Sequence, residues 1–191
     1  LAGDAHLVYT LFNRHFHVSP RSFFQVNTPM AEKMITHLLE NLALLTKQTH
    51  VVELYAGVGL FSAFLAPQVN HLTAIENSGS ACHDFVINLD EFDNVTLYEA
   101  EAEEVLPTLD TQVDLLVMDP PRSGIAPAVH DALAKLQPVQ IAYISCDPAT
   151  LARDVKRILG NGYQLISVTP FDLFPHTGHI ESVVLMSKIK E

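Results

Sequence analysis

From His50 onward, short apolar segments typical of buried strands alternate with segments typical of helices, and few folds accommodate that order. Five strand–helix pairs are followed by two consecutive strands. The predicted strands cover residues 50–55, 72–76, 95–98, 113–118, 140–145, 163–169 and 180–187, and the predicted helices cover residues 60–65, 80–89, 101–106, 127–136 and 148–159. The pattern predicts an α/β fold with a seven-stranded, mostly parallel sheet, a final antiparallel hairpin and helices on both faces.

The residues before this pattern are predicted to form an extension that leads into the main domain. Residues 6–18 mix apolar residues with His and Arg in short alternation, which indicates a strand or a hairpin. Thr28 is predicted to cap the helix that follows, with Pro29 at its first position. We therefore assign residues 1–28 to a strand or hairpin extension and residues 29–191 to the main domain.

Charge and composition limit the partners that the chain can bind. The 191 residues carry a net charge of −11, whereas phosphate backbones are bound mainly by Lys and Arg. The chain therefore binds only a small molecule, or another part of the protein supplies a basic surface, or a local basic patch exists within the acidic average. No apolar run reaches the roughly 18 residues that span a bilayer, so we expect no membrane partner. Cys82 and Cys146 form neither a disulfide framework nor a metal quartet, which favours a reducing cytoplasm.

The first and second strands of the main domain end in residues typical of a cofactor site. Gly57 and Gly59 allow the backbone to turn sharply, and Glu76 ends the second strand 19 residues after Gly57. A carboxylate at that point can accept hydrogen bonds from both ribose hydroxyls of a nucleoside. The spacing lacks the third glycine of dinucleotide sites, so it favours S-adenosylmethionine. An ordinary strand-turn-helix with a solvated Glu76 is the alternative.

Three further strand ends carry residues suited to chemistry. Asp119 ends the fourth strand before two prolines that stiffen the loop, although a plain turn would look the same. Cys146 ends the fifth strand, and Asp147 is predicted to cap the next helix. A thiol at a helix N-terminus is expected to have a lowered pKa. Glu101 follows the third strand, where an adenine contact would fall, but it also belongs to a run of solvated acids.

The last loop brings His176, His179 and Glu181 close together in the sequence. The two histidines have no further clear ligands nearby, so we predict no metal site. A carboxylate that begins a strand beside a reactive thiol can instead act as a general base, which favours Glu181 in that role.

Five segments, FFQVN, ELYAGVG, DPPRSG, SCDPATLARD and FPHTGHIES, resemble the RNA (uracil-5-)-methyltransferase family in the order in which that family has them. The resemblance extends from Ser22 to Ser187. It implies a Rossmann-like class I methyltransferase domain that uses S-adenosylmethionine to methylate C5 of a uridine in RNA. It also implies that Cys146 is the nucleophile, that Glu181 is the base, and that the cofactor contacts include Gln25, Tyr55, Glu76, Glu101 and Asp119.

The chain departs from the family pattern at three positions. Asp147 stands where the family usually has Asn, Glu101 where it often has Asn or Asp, and Leu60 where it often has Asn. The residues of the segments FPHTGHIES and SCDPATLARD are most similar to those of the bacterial branch that acts on 23S ribosomal RNA. We therefore expect a ribosomal RNA substrate, bound largely through domains that this sequence does not contain. A transfer RNA substrate, methylation of an exocyclic amine and a non-catalytic cofactor-binding module are the alternatives. The sequence indicates no particular oligomeric state.

Overall fold

The structure is a computed structural model that describes residues 6–189, within which the chain forms nine strands and six helices. The strands are β1 (Leu7–Leu11), β2 (Arg14–Val18), β3 (His50–Leu54), β4 (His71–Glu76), β5 (Val95–Glu99), β6 (Leu115–Met118), β7 (Gln140–Ser145), β8 (Tyr163–Phe171) and β9 (Glu181–Lys188). The helices are α1 (Thr28–Asn41), α2 (Ser62–Leu65), α3 (Gly79–Asn88), α4 (Ala102–Val105), α5 (Pro127–Leu136) and α6 (Pro148–Leu159). Residues 1–5 of the predicted extension lie outside the described residues.

Seven strands form one sheet in the order β5-β4-β3-β6-β7-β9-β8. The first five run parallel, and β9 pairs antiparallel with both β7 and β8. This confirms the predicted mostly parallel sheet with a final antiparallel hairpin. Because β3 lies between β4 and β6, the strand order reverses at β3. Ligands of such sheets bind beyond the carboxyl ends of the strands at that reversal.

Alternate residues of the central strands pack into two separate cores, one on each face of the sheet. On β3, Val51 belongs to the core beneath α1, α2 and α3, whereas Val52 and Leu54 belong to the core beneath α4, α5 and α6. All three side chains are fully buried. Strands covered on both faces read as continuous apolar runs, which is why they could be recognised in the sequence. The predicted helices on both faces are confirmed.

The segment before α1 forms an antiparallel hairpin of β1 and β2, as the alternation in residues 6–18 predicts. Its buried side chains Leu11 and Phe16 join the first core, and Asp84 and Asn88 of α3 hydrogen-bond to its second strand and to the loop after it. The division of the chain at residues 28 and 29 stays a prediction.

Two local predictions are wrong. Thr28 does not cap α1: the Asn27 side chain accepts a hydrogen bond from the Met30 amide, so Thr28 is the first helical residue and Pro29 the second. Asn is as good a cap as Thr, and Pro is tolerated within the first turn, so the sequence signal fits both positions. The strand predicted over residues 50–55 ends at Leu54, because Tyr55 adopts a left-handed backbone conformation with φ of 61°.

Among residues 6–189, no helix combines the length and the apolar character that crossing a membrane requires.

Candidate active site

The registers of the parallel strands place three predicted site residues side by side. Leu54 of β3 pairs with Ile75 of β4 and with Met118 of β6. The residues that follow these three, Tyr55, Glu76 and Asp119, therefore leave the sheet at one edge, next to the reversal of strand order. This is the reversal edge of the sheet.

The two glycines after β3 have different surroundings. Gly57 has a φ of +56°, and a Cβ at that position would meet no atom within 4 Å, so the backbone there faces open space. Gly59 has a φ of +88°, and a Cβ there would overlap the Leu89 side chain and crowd Phe85. Gly57 thus leaves room beside the turn for a ligand, whereas Gly59 allows the turn to pack against α3.

Glu76 stabilises the glycine turn through both carboxylate oxygens. Its Oε2 accepts a hydrogen bond from the Gly57 amide at 2.8 Å, and its Oε1 accepts one from the Ser78 amide at 2.8 Å. Each carboxylate oxygen can accept a second hydrogen bond, so Glu76 can still bind ribose hydroxyls. Glu101 lies nearby, exposed, and accepts a hydrogen bond from the Asn77 side chain at 3.0 Å. Burial and the charges of Glu103 and Glu101 raise the pKa of Tyr55, which remains a neutral hydroxyl.

Gln25 lies in the loop between the hairpin and α1, and its side chain is 4% exposed. The loop is fixed at both ends: Ser22 hydrogen-bonds to Ser80 and Asp84 of α3, and the Asn27 side chain donates to the Leu173 carbonyl. The loop therefore runs from the start of α3, just after Glu76, to the segment before β9. The Gln25 Oε1 atom is buried without a hydrogen-bond partner among the described residues. An unpartnered buried acceptor is unfavourable, and a ligand that donates a hydrogen bond would satisfy it.

Three carboxyl groups, two of them buried and that of Asp119 half-buried, influence one another near the reversal edge. Burial, followed by the charges of Glu181 and Glu53, raises the pKa of Asp119 well above its usual range. Burial raises the pKa of Glu53 to about 8, although the Ser62 hydroxyl donates a hydrogen bond to it at 2.5 Å. Burial also raises the pKa of Glu181, which is 3% exposed and whose Oε2 has no partner within residues 6–189. Such an acid cluster favours a cationic ligand.

Cys146 follows β7 directly and is partly exposed. The predicted low pKa of this thiol is wrong, because burial and the carboxyl groups of Glu181 and Asp119 raise it. The helix N-terminus favours an anion, but burial and these two carboxyl groups outweigh it. The predicted cap is confirmed: the Asp147 side chain accepts a hydrogen bond from the Thr150 amide at 2.8 Å.

Arg122 was not assigned a role from the sequence, yet its charge acts on the thiol. The Arg122 guanidinium lowers the pKa of both Cys146 and Glu181. Its Nη2 atom lies 3.4 Å from the His179 Nε2 atom. The signal in the sequence was a cation directly after Asp119 and two prolines that stiffen the loop. The described residues contain no cluster of three or more metal-ligating side chains.

The fold and the residues at the reversal edge are those of the Rossmann-like methyltransferase class. The chain matches the Pyrococcus abyssi tRNA (uracil-54, C5)-methyltransferase, solved in complex with S-adenosyl-L-homocysteine, with a TM-score of 0.83 and 28% identity over 97% of this chain and 45% of that one. It also matches the M. jannaschii tRNA m1G37 methyltransferase, with a TM-score of 0.72, 14% identity and coverage of 100% of this chain and 60% of that one. The second likeness shows the fold alone.

The model of the tRNA (uracil-5-)-methyltransferase family matches residues 11–189, and the chain belongs to that family. An RNA methyltransferase of Thermosynechococcus vestitus is 38% identical over 98% of this chain and 42% of its own length. One of Thermotoga maritima is 35% identical over 98% of this chain and 43% of its own length. The chain thus spans less than half of the curated relatives it matches. The resemblance inferred from the sequence is confirmed, and S-adenosylmethionine is the cofactor of this family.

Proposed function

We propose that this chain transfers a methyl group from S-adenosylmethionine to C5 of a uridine in RNA, with Cys146 as the nucleophile and Glu181 as the base. The observation that carries the proposal is the pairing of β7 with β9. Ser145 and Ser182 are opposite each other in that antiparallel pair. The adjoining residues, Cys146 and Glu181, are therefore neighbours across the two strands. A thiol and a buried carboxyl group then face one reaction space.

The chemistry requires this pair. Uracil C5 is a weak nucleophile until a thiolate adds to C6, which generates an enolate whose charge reaches C5. The bound cofactor supplies an electrophilic methyl group on a sulfonium. After C5 has gained that methyl, Glu181 removes the C5 proton, and the bond between C6 and the Cys146 sulfur breaks to release the thiolate. A raised pKa suits Glu181 for this step, because a general base is most effective when its pKa is near the working pH.

Arg122 compensates for the unfavourable surroundings of the thiol. Burial and the charges of Glu181 and Asp119 raise the pKa of Cys146, and the charge of Arg122 acts in the opposite direction. Thiolates of higher pKa are intrinsically better nucleophiles, so a thiol that is deprotonated only with the help of Arg122 remains reactive toward C6.

The cofactor contacts are proposed from the residues at the reversal edge and in the loop of Gln25. Glu76 would accept hydrogen bonds from the ribose, with Gly57 and Gly59 forming the turn beside it, and Gln25, Tyr55, Glu101 and Asp119 would complete the site. The open space at Gly57, the unpartnered Gln25 acceptor and the acid cluster all fit a ligand that carries a sulfonium and an ammonium group. Cation binding beside Asp119 would stabilise its ionised form.

We favour 23S ribosomal RNA as the substrate, on the wording of the segments SCDPATLARD and FPHTGHIES. The tRNA activity of the Pyrococcus abyssi enzyme makes a transfer RNA substrate the second candidate. The larger part of each relative's length, which this chain does not match, would contribute much of the RNA contact. Two free cysteines fit a cytoplasmic location.

The test is a covalent trap. A 5-fluorouridine in RNA has no C5 proton to lose, so the methylated adduct cannot release Cys146. Incubation with cofactor is expected to give a band of protein linked to RNA on a denaturing gel, and Cys146→Ser should abolish it. Transfer of labelled methyl to unmodified ribosomal and transfer RNA by the full-length protein then identifies the substrate. Methyl transfer without a trapped adduct would support an exocyclic-amine target instead.

A further inference from the structure

The charges of this acidic chain are unevenly distributed. Residues 120–171 contain five Lys or Arg and three Asp or Glu, whereas residues 1–119 contain four and sixteen. The basic-rich segment includes α5, β7 and α6 and begins at the loop of Arg122. The net charge of −11 therefore conceals one region whose balance is positive.

A cleft between α5 and α6 collects most of these cations. It has a volume of about 680 Å³, and its lining includes Arg153, Lys156 and Arg157 of α6. Arg157 pairs with Asp131 at 2.9 Å, but both side chains are largely exposed, and exposed ion pairs are readily exchanged for other partners. Lys156 is exposed and forms no ion pair within the part of the chain that the structure describes.

The cleft is attached directly to the loop that carries Arg122. Arg153 donates a hydrogen bond to the Ser123 carbonyl at 2.8 Å, and the buried Asp154 accepts one from the Ile125 amide at 3.1 Å. Asp154 is also bound by the Tyr143 hydroxyl of β7 at 2.8 Å. Gly124 has a φ of +79°, and a Cβ there would overlap Asp154 and Thr150, so the loop packs tightly against α6. A ligand in the cleft would thus lie beside the loop that carries Arg122.

We propose that the cleft between α5 and α6 binds the phosphate backbone of the substrate RNA next to the methylated nucleotide, with Lys156 and Arg157 as the phosphate contacts. The inference rests on the proposed function, because it deepens the account of how that site holds RNA. Phosphates would replace Asp131 as the partner of Arg157, since Arg forms strong bidentate contacts with phosphate oxygens. Asp131 therefore weakens RNA binding in this account.

The experiment measures binding of the chain to a fluorescent single-stranded oligoribonucleotide by anisotropy at several salt concentrations. The double variant Lys156→Gln/Arg157→Gln should bind about three- to tenfold more weakly, with a salt slope smaller by about 1.4 for two lost contacts. Asp131→Asn should bind more tightly than the wild type. The matched control, Lys33→Gln/Lys47→Gln, changes the net charge equally on the acidic part of the chain and should leave binding nearly unchanged.

Several outcomes would overturn the proposal. Equal weakening by the control pair would mean that only net charge matters, and an unchanged affinity of Asp131→Asn would mean that Arg157 meets no phosphate. Failure of the chain to bind RNA even at low salt would also reject it. The fluorouridine trap tests C5 chemistry without reference to this cleft, so the two proposals fail separately.

Discussion

At the scale of single residues, the reactivity of the thiol depends on one cation among several acids. Burial, followed by the charges of Glu181 and Asp119, raises the pKa of Cys146, and Arg122 lowers it. A neighbouring cation favours the ionised form of a thiol, so Arg122 influences how much thiolate exists at neutral pH.

Arg122→Gln should therefore raise the apparent pKa of Cys146, because it removes the nearby positive charge. The measurement is the rate of thiol alkylation against pH, with Cys82→Ser in the background so that only Cys146 reacts. Arg157→Gln removes a cation elsewhere on the surface and should leave the profile unchanged. An identical profile for Arg122→Gln and the background protein would show that Arg122 does not influence the ionisation of Cys146.

Glu181→Gln should separate the two halves of the proposed reaction. The variant retains Cys146 and Arg122, so it should still add to C6 and accept the methyl group, and then stall because the C5 proton stays in place. A covalent protein–RNA adduct should accumulate with ordinary uridine RNA, and turnover should fall by at least about a hundredfold. Release of methylated product at the wild-type rate would remove Glu181 from the base role.

The sequence identified Cys146, Glu181 and Asp119 as candidates because each lies where a strand begins or ends. It did not identify Glu53, although an acid within an apolar strand is a visible anomaly, because its importance depends on Asp119 and Ser62 on neighbouring elements. The pKa of Cys146 was predicted in the wrong direction for the same reason. Its main determinants, burial and the charge of Glu181, arise only through the tertiary fold.

At the scale of elements, the two glycines in the turn after β3 have different surroundings, so their substitution should have different effects. Gly57→Ala meets no neighbour, so its cost should be limited to the positive φ, about 1–2 kcal/mol, while the added methyl narrows the space for the cofactor. Gly59→Ala adds overlap with Leu89 of α3 and should lower the free energy of unfolding by about 3 kcal/mol or more. Chemical denaturation should therefore show Gly59→Ala as the less stable variant. Cofactor titration should show Gly57→Ala as the weaker binder. Equal destabilisation by the two substitutions would refute the distinction.

The hairpin is joined to α3 through Asp84, which is 1% exposed and accepts hydrogen bonds from the Ser19 amide and hydroxyl and from the Ser22 hydroxyl. Asp84→Asn leaves one acceptor oxygen for these donors, so the protein should lose about 1–3 kcal/mol of stability. Hydrogen exchange in β2 and in the loop of Gln25 should accelerate, and cofactor binding should weaken because that loop loses its attachment. The exposed Asp93→Asn is the control. Unaltered exchange in the hairpin would show that its apolar contacts suffice.

The elements that the sequence predicted well are those whose signal is local. Strand β7 and helices α5 and α6 have the predicted bounds. An apolar run marks the strand, and a proline marks the start of each helix. The cap of α1 was misplaced by one residue, because Asn27 and Thr28 are both good caps and only the fold decides between them. The pairing of β9 with β7, which brings Glu181 to Cys146, is long-range and could only be inferred from the family resemblance.

At the scale of the whole molecule, the buried carboxyl groups make stability depend on pH in two opposing ways. Asp84 and Asp154 have lowered pKa values, because the hydrogen bonds that each accepts outweigh its burial. Their contribution to stability is present above the ordinary carboxyl range and is lost as the pH falls through their lowered values. Glu53, Asp119 and Glu181 have raised values and act in the opposite direction.

Glu53 should therefore contribute a fall in the free energy of unfolding as the pH rises from 5 to 8. Burial raises the pKa of Glu53 from 4.5 to about 8, so across this window the folded state retains a proton that the unfolded state has released. One such group can lower the stability by up to about 1.4 kcal/mol per pH unit. Glu53→Gln cannot ionise, so its stability should decline less between pH 5 and pH 8, whereas the exposed Glu40→Gln should decline as the wild type does. Urea unfolding at both pH values measures the difference, and parallel declines in all three proteins would show that Glu53 titrates normally in the folded state.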